Sequence, residues 1–137
     1  MAKDAYKAEI VIGKTIEQIF GFVSDLRNLP FWSGASDVEV VSESPSIVGN
    51  TYEVIFSTFF TKSSTPVEIT EYTSPNSFSF RDNSKQISFI YTFESVEDGT
   101  KVSLSCEFDD SPFSFSHLKV DKLLADLKKY LEAQGLF

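Results

Sequence analysis

The sequence predicts an α+β protein in which a strand and two short helices precede an antiparallel meander and one long C-terminal helix. Three observations predict it. Between residues 37 and 109, six segments alternate apolar and polar side chains, joined by short turns with no helical pattern between them. That is the pattern of an antiparallel sheet with one wet face. The closing stretch, HLKVDKLLADLKKYLEAQGLF, repeats apolar residues at helical spacing. The segment before the meander joins one alternating run to one helix-start signal.

Taken in order, residues 5–12 (AYKAEIVI) put Tyr6, Ala8, Ile10 and Ile12 on one side and Lys7 and Glu9 on the other, and Gly13 ends the strand. Thr15 stands three residues before Gln18, a capping-box spacing. Ile16, Ile19, Phe20 and Val23 then give a short amphipathic helix over 16–24. DLRNLPFW, residues 25–32, holds Pro30 and the single Trp and reads as a second short helical turn. DVEVVSE is the first meander strand, and ESPSIVGN is a turn region. TYEVIFSTFF places Tyr52, Val54, Phe56 and Phe60 on one face. TPVEITEY turns Val67 and Ile69 inward, SPNS is a turn, and FSFRD pairs Phe78 with Phe80 on one face. QISFIYTFESV aligns Ile87, Phe89, Tyr91 and Phe93. EDGT is a hairpin turn, after which Val102, Leu104, Cys106 and Phe108 point inward.

In the last helix Val120, Leu123, Leu124, Leu127 and Leu131 form one stripe; Ser114 or Ser116 can cap its start, and Gly135 can end it. A long meander twists and curls, and its concave apolar face must be covered. Only the C-terminal helix is long enough to do that, and a gap is expected where sheet and helix diverge. The 137 residues are expected to form one domain.

Composition narrows the function. A net charge of −8 argues against nucleic acid, whose phosphates must be neutralised by Lys and Arg, and against a basic membrane-surface patch. A single cysteine excludes an internal disulfide. The start, MAKDAYKAEIVIG, has no apolar leader pattern, and no apolar run approaches the roughly 20 residues of a bilayer span. The expectation is a soluble, cytoplasmic protein. Fourteen Phe, five Tyr and one Trp fit a thick core or a greasy cavity equally well.

Catalytic signals are sparse. His117 is the only histidine, so a histidine-based metal cluster is excluded, and no cofactor is expected. Cys106 reads as a small buried hydrophobe. There is no glycine-rich phosphate loop, no G-x-S-x-G and no C-x-x-C. Tyr52 and Tyr91 fall on inward faces, where a phenol can orient a ligand. Arg27 lies close to Asp25, as in a local ion pair or cap. Arg81 should face outward. Glu71 lies on the side of Val67 and Ile69, late in its strand, either inward as a general-base candidate or already at the solvent rim.

Four stretches resemble the START/Bet v 1-like (SRPBCC) superfamily, and within it the polyketide cyclase/dehydrase-like group. IGKTIEQIFGFVSDLRNLPFW resembles the family's opening, VGNTYEV the start of its third strand, YTFESVEDGTKVSLSCEF its late hairpin, and LKKYLE the end of its last helix. The resemblance covers essentially the whole chain. It implies a helix-grip fold, a curved sheet of about seven strands wrapped around the C-terminal helix. It further implies that the two short helices form a V beside one mouth of a cavity, with Trp32 capping the apolar interior there; the plain alternative is that Trp32 is a core plug. The family spans lipid and sterol carriers, aromatase/cyclases, receptors and co-chaperone-like modules, so fold does not settle function.

Three functions follow as expectations. The first is binding or carriage of a small hydrophobic molecule (a lipid, quinone or polyketide-like compound) between sheet and C-terminal helix. Trp32, Tyr52, Phe56, Phe80, Phe89, Tyr91, Phe93, Phe108 and Leu124 would line the site. The second is an aromatase/cyclase-type enzyme using Tyr52, Tyr91, Glu71 or Arg27 for proton transfer. The third is a protein-interaction module whose core is filled by its own Phe side chains.

Overall fold

The computed structural model describes residues 3–84, 86–109 and 120–134. Strand β1 (Lys3–Ile12) leads through the Thr15 cap into helix α1 (Ile16–Val23). Thr15 Oγ1 accepts from the Gln18 N–H at 3.2 Å, and Gln18 Oε1 accepts from the Thr15 N–H at 3.2 Å. This closes the capping box anticipated from the spacing. A 3-10 turn (Leu26–Asn28) and the one-turn helix α2 (Leu29–Trp32) follow, with Pro30 in the first turn of α2, where its missing N–H costs nothing.

The meander comprises β2 (Asp37–Ser42), β3 (Thr51–Ser57), β4 (Lys62–Thr73), β5 (Ser77–Asp82), β6 (Ile87–Val96) and β7 (Gly99–Asp109). Helix α3 (Val120–Gln134) completes the described chain. All pairings are antiparallel, in the order β1-β7-β6-β5-β4-β3-β2. The first strand thus pairs with the last, and β2 is an edge.

Gly99 permits a close backbone approach at one corner of the sheet. It sits at φ +142°, and a Cβ there would lie 2.1 Å from the Ile12 carbonyl oxygen. Only glycine lets the β6–β7 turn lie so close to the end of β1. The Thr100 hydroxyl fixes the same corner by donating to the Lys14 carbonyl at 2.8 Å.

The concave face carries an aromatic ladder. Phe78 pairs across β5–β6 with Tyr91, and Phe80 with Phe89. The Phe80 and Phe89 rings stack at 5.0 Å, and Phe20 of α1 meets Phe93 edge-on at 5.5 Å. Val120, Leu124, Leu127 and Leu131 bury the stripe of α3, with Leu123 half-buried beside it. The helix lies chiefly across β1 and β7 and touches α2. Its polar flank is tied to the same strand end, because Lys128 Nζ donates to the Val11 carbonyl at 2.7 Å and Glu132 Oε2 accepts from the Gly13 N–H at 3.0 Å. A ring stack of Phe22, Tyr130 and Phe31 joins the three helices on the outside.

Three expectations are corrected. Phe60 is expected on the inner face of its strand, but β3 ends at Ser57 and Phe60 sits on the hairpin tip. Phe56 has the inward register, yet its side chain is 40% exposed at the rim. Glu71 does not share the face of Val67 and Ile69. A bulge between Ile69 and Glu71 shifts the register, so Glu71 pairs with Ser79 and accepts from the Ser77 hydroxyl at 2.7 Å, while Tyr72 turns inward. His117, Ser114, Ser116 and Gly135 lie outside the described residues, as does the side chain of Phe108.

Candidate functional site

Because α3 lies over β1 and β7, the β3–β4 side of the concave face is left to other cover. That cover is α1, the 3-10 turn and the loop over residues 43–50. They do not close over it completely, and a cleft of about 560 Å³ remains. Gly21, Ser24, Asp25 and Arg27 form one wall. Glu43, Ser44, Pro45, Ile47 and Asn50 form the other, and Tyr52, Ile69 and Tyr72 form the floor.

Local backbone chemistry builds each wall. In α1, Gly21 faces the cleft with no atom within 4 Å of where its Cβ would be. The 3-10 turn begins at Asp25, whose Oδ1 accepts from the Arg27 N–H at 3.1 Å and from its Nε at 2.9 Å. Oδ2 takes Nη2 at 3.1 Å, so the two side chains form a two-pronged pair on the rim. Asp25 holds the guanidinium charge more firmly than usual.

The opposite loop needs two residues at positive φ, Ile47 (+64°) and Gly49 (+95°). Positive φ in a β-branched residue is strained and persists where the surroundings fix it. The fixing contacts are visible. The Gly49 N–H donates to the Ile69 carbonyl at 2.8 Å, the Ile69 N–H returns a bond to Asn50 at 3.0 Å, and the buried Asn50 Oδ1 accepts from the Ser44 N–H at 2.8 Å.

Tyr52 joins floor to rim. Its ring is buried, and its hydroxyl donates to Glu43 Oε2 at 2.9 Å. Burial, then the Glu43 carboxylate, push its ionisation above the ordinary tyrosine value. The phenol therefore stays neutral and acts as a donor. Taken together, the cleft has an apolar floor and a rim of preset donors and acceptors. Its volume lies within the range of small-molecule sites, although its lining is more open and more polar than is usual for them.

Of the nine residues expected to line a cavity, Tyr52 alone borders this cleft. Trp32, Phe80, Tyr91, Phe93 and Leu124 belong to the buried core, and Phe89 packs against it half-buried. Tyr91 is fully enclosed, and burial drives its phenol far above the normal range. Cys106 lies in the same core, with burial pushing its thiol up to about 12. Of the four groups considered for proton transfer, Tyr52 and Arg27 reach the cleft, while Tyr91 and Glu71 do not. Sequence reasoning missed Glu43, Asn50 and Ile47, whose roles depend on how the turn-rich loop folds over the sheet. Among the described residues, no group of three or more His, Cys, Asp or Glu side chains could hold a metal ion. None of the described helices is long and apolar enough to cross a membrane.

A seven-stranded antiparallel sheet, short helices after its first strand and a long C-terminal helix define the helix-grip class, and solved structures of that class match. The protein Ara h 8.0201 is similar, with TM-score 0.74, 17% identity and coverage of 98% of this chain and 99% of that one. Major latex-like protein 151 from Panax ginseng matches with TM-score 0.76, 13% identity and coverage of 98% and 99%. The di-domain ARO/CYC StfQ of the steffimycin biosynthetic pathway matches with TM-score 0.65 and 9% identity, covering 96% of this chain and 45% of that one. At these identities the likeness is one of fold. The family follows from the sequence itself, because residues 5–132 match the model of the polyketide cyclase / dehydrase and lipid transport family. The chain belongs to that family, within the START/Bet v 1-like superfamily. A search of curated protein sequences gives no match.

Proposed function

We propose that this protein binds and carries a small, mainly apolar, ring-bearing molecule, and that the cleft between α1 and the 43–50 loop is where it sits. The observation that carries this reading is the pairing of an apolar floor (Ile69, Tyr72 and the Tyr52 ring), flanked by Ile47 of the loop wall, with fixed hydrogen-bonding groups on the rim. Burial of the ligand's apolar surface, at about 25 cal/mol per Å², supplies the affinity. Asn50, Glu43 and the Asp25–Arg27 pair orient its polar end. Membership of a family described by both cyclase and lipid-transport activities supports small-molecule binding.

The proposed site lies on the α1 side and shares Tyr52 with the nine residues expected from the sequence to line a cavity between sheet and C-terminal helix. Native mass spectrometry of the purified protein, set against its denatured mass, tests the reading. A released small molecule, or uptake of added hydroxylated aromatic compounds at 1:1 stoichiometry, is expected. A protein that takes up none of them would contradict the proposal.

A further inference from the structure

The β3–β4 hairpin carries a feature the cleft does not use. Beyond Thr65 it projects past its neighbours, since β5 pairs with β4 only from Val67 onward and β2 reaches β3 only as far as Ile55. Its tip presents Phe59 and Phe60, 101% and 94% exposed, with ring centroids 6.5 Å apart. These are the two most exposed large apolar side chains among the described residues. The half-exposed Phe56 forms the shoulder.

The loop that presents them is built to leave water. The Thr58 N–H donates to the Thr61 carbonyl at 2.8 Å, and Thr58 Oγ1 accepts from the N–H groups of Phe60 at 3.3 Å and Thr61 at 3.0 Å. Three of its backbone donors, the N–H groups of Thr58, Phe60 and Thr61, are therefore satisfied within the loop, which lowers the cost of entering an apolar medium. Charge is distributed to match. The chain holds 20 acidic residues, yet none lies between Glu53 and Glu68, where Lys62 is the sole charge.

We infer that this tip is a docking element for the surface of a lipid bilayer, entering it with Phe59 and Phe60. Area favours a bilayer over a protein partner. Two Phe rings offer about 400 Å², roughly half of what each side of a stable protein interface buries. A bilayer needs no complementary surface and accepts a narrow protruding tip, with Lys62 at the headgroup level. The overall charge of −8 directs the tip to neutral rather than anionic lipid. Tyr52 lies about 17 Å along β3 from Ser57, where the strand ends and the tip begins, so docking leaves the cleft outside the bilayer. The inference therefore stands independently of the proposed ligand site.

Flotation of the full chain with phosphatidylcholine vesicles tests it. Wild type should co-float at millimolar lipid. Phe59→Ser and Phe60→Ser should each weaken binding about tenfold, and the double variant about a hundredfold, if each ring is worth a typical buried Phe. Both rings are exposed, so the variants should unfold at the wild-type midpoint. Phe60→Trp should keep binding, and brominated lipid should quench the fluorescence of the introduced indole. Absence of co-flotation, equal binding by the double serine variant, or an introduced indole that brominated lipid leaves unquenched would each overturn the inference. So would a lipid-free wild-type dimer that the double variant converts to monomer, since the tip would then belong to a second copy.

Discussion

Replacing Tyr52 by Phe removes one atom from the cleft and should cost about 1 kcal/mol. A neutral donor to a carboxylate is a charge-assisted bond, and such bonds contribute about 1.5–3 kcal/mol when the acceptor cannot recover water. Here it can, because Glu43 is exposed. The ring keeps its packing and no void opens, so the loss falls to about 1 kcal/mol, or about 3 °C in Tm for a chain of this size. Urea unfolding followed through Trp32, the only tryptophan and a buried one, reads the difference. A double-mutant cycle with Glu43→Gln should return a coupling of about 0.5–1 kcal/mol. The pH dependence has a definite sign. The folded phenol ionises at higher pH than the unfolded one, so its contribution is complete below about pH 10 and is lost as pH rises beyond that. A Tyr52→Phe variant as stable as wild type, with zero coupling to Glu43, would refute the argument that this pair fixes the rim.

Three further outcomes follow from the same geometry. Gly99→Ala drives a Cβ onto the Ile12 carbonyl and should destabilise by about 3 kcal/mol, read by urea denaturation; a loss under about 1 kcal/mol would show that the corner relaxes freely. Leu127→Ala, at a fully buried position of α3, should cost about 2–5 kcal/mol in the same assay. Cys106, with its thiol pushed up to about 12, should resist a thiol reagent at pH 8 in the folded protein and react at once in denaturant. Its raised ionisation also makes the fold lose stability as pH climbs from about 9.

The fold was legible because its signals are local. Alternation marked every strand, the Thr15–Gln18 spacing marked the start of α1, and EDGT marked the β6–β7 turn. The errors arose where tertiary context overrides a local pattern. Phe59 and Phe60 have high strand propensity, so the alternating pattern runs on through them, whereas Thr58 turns the chain. Glu71 kept its expected parity until a bulge, which leaves no residue signature, moved it to the other face. The Asp25–Arg27 pair was legible, but its place on a cleft wall was not. That depends on a loop whose Ser, Pro and Gly content announces a turn without saying over what it folds. Tyr52 was found because it alternates inward. Its partner Glu43, nine residues away along the chain, could be found only in three dimensions.

The central claim is that ligand enters the α1 side of the fold and not the aromatic core. Gly21→Leu tests it most directly. Gly21 faces open space in the cleft, so leucine should fill the site without a clash and should strengthen α1 at a glycine position. Fluorescence titration with the neutral apolar dye N-phenyl-1-naphthylamine would compare it with wild type. The account predicts 1:1 binding to wild type and at least tenfold weaker binding to Gly21→Leu, with equal or higher thermal stability. Undiminished binding by a folded Gly21→Leu protein would place the ligand elsewhere and contradict the account.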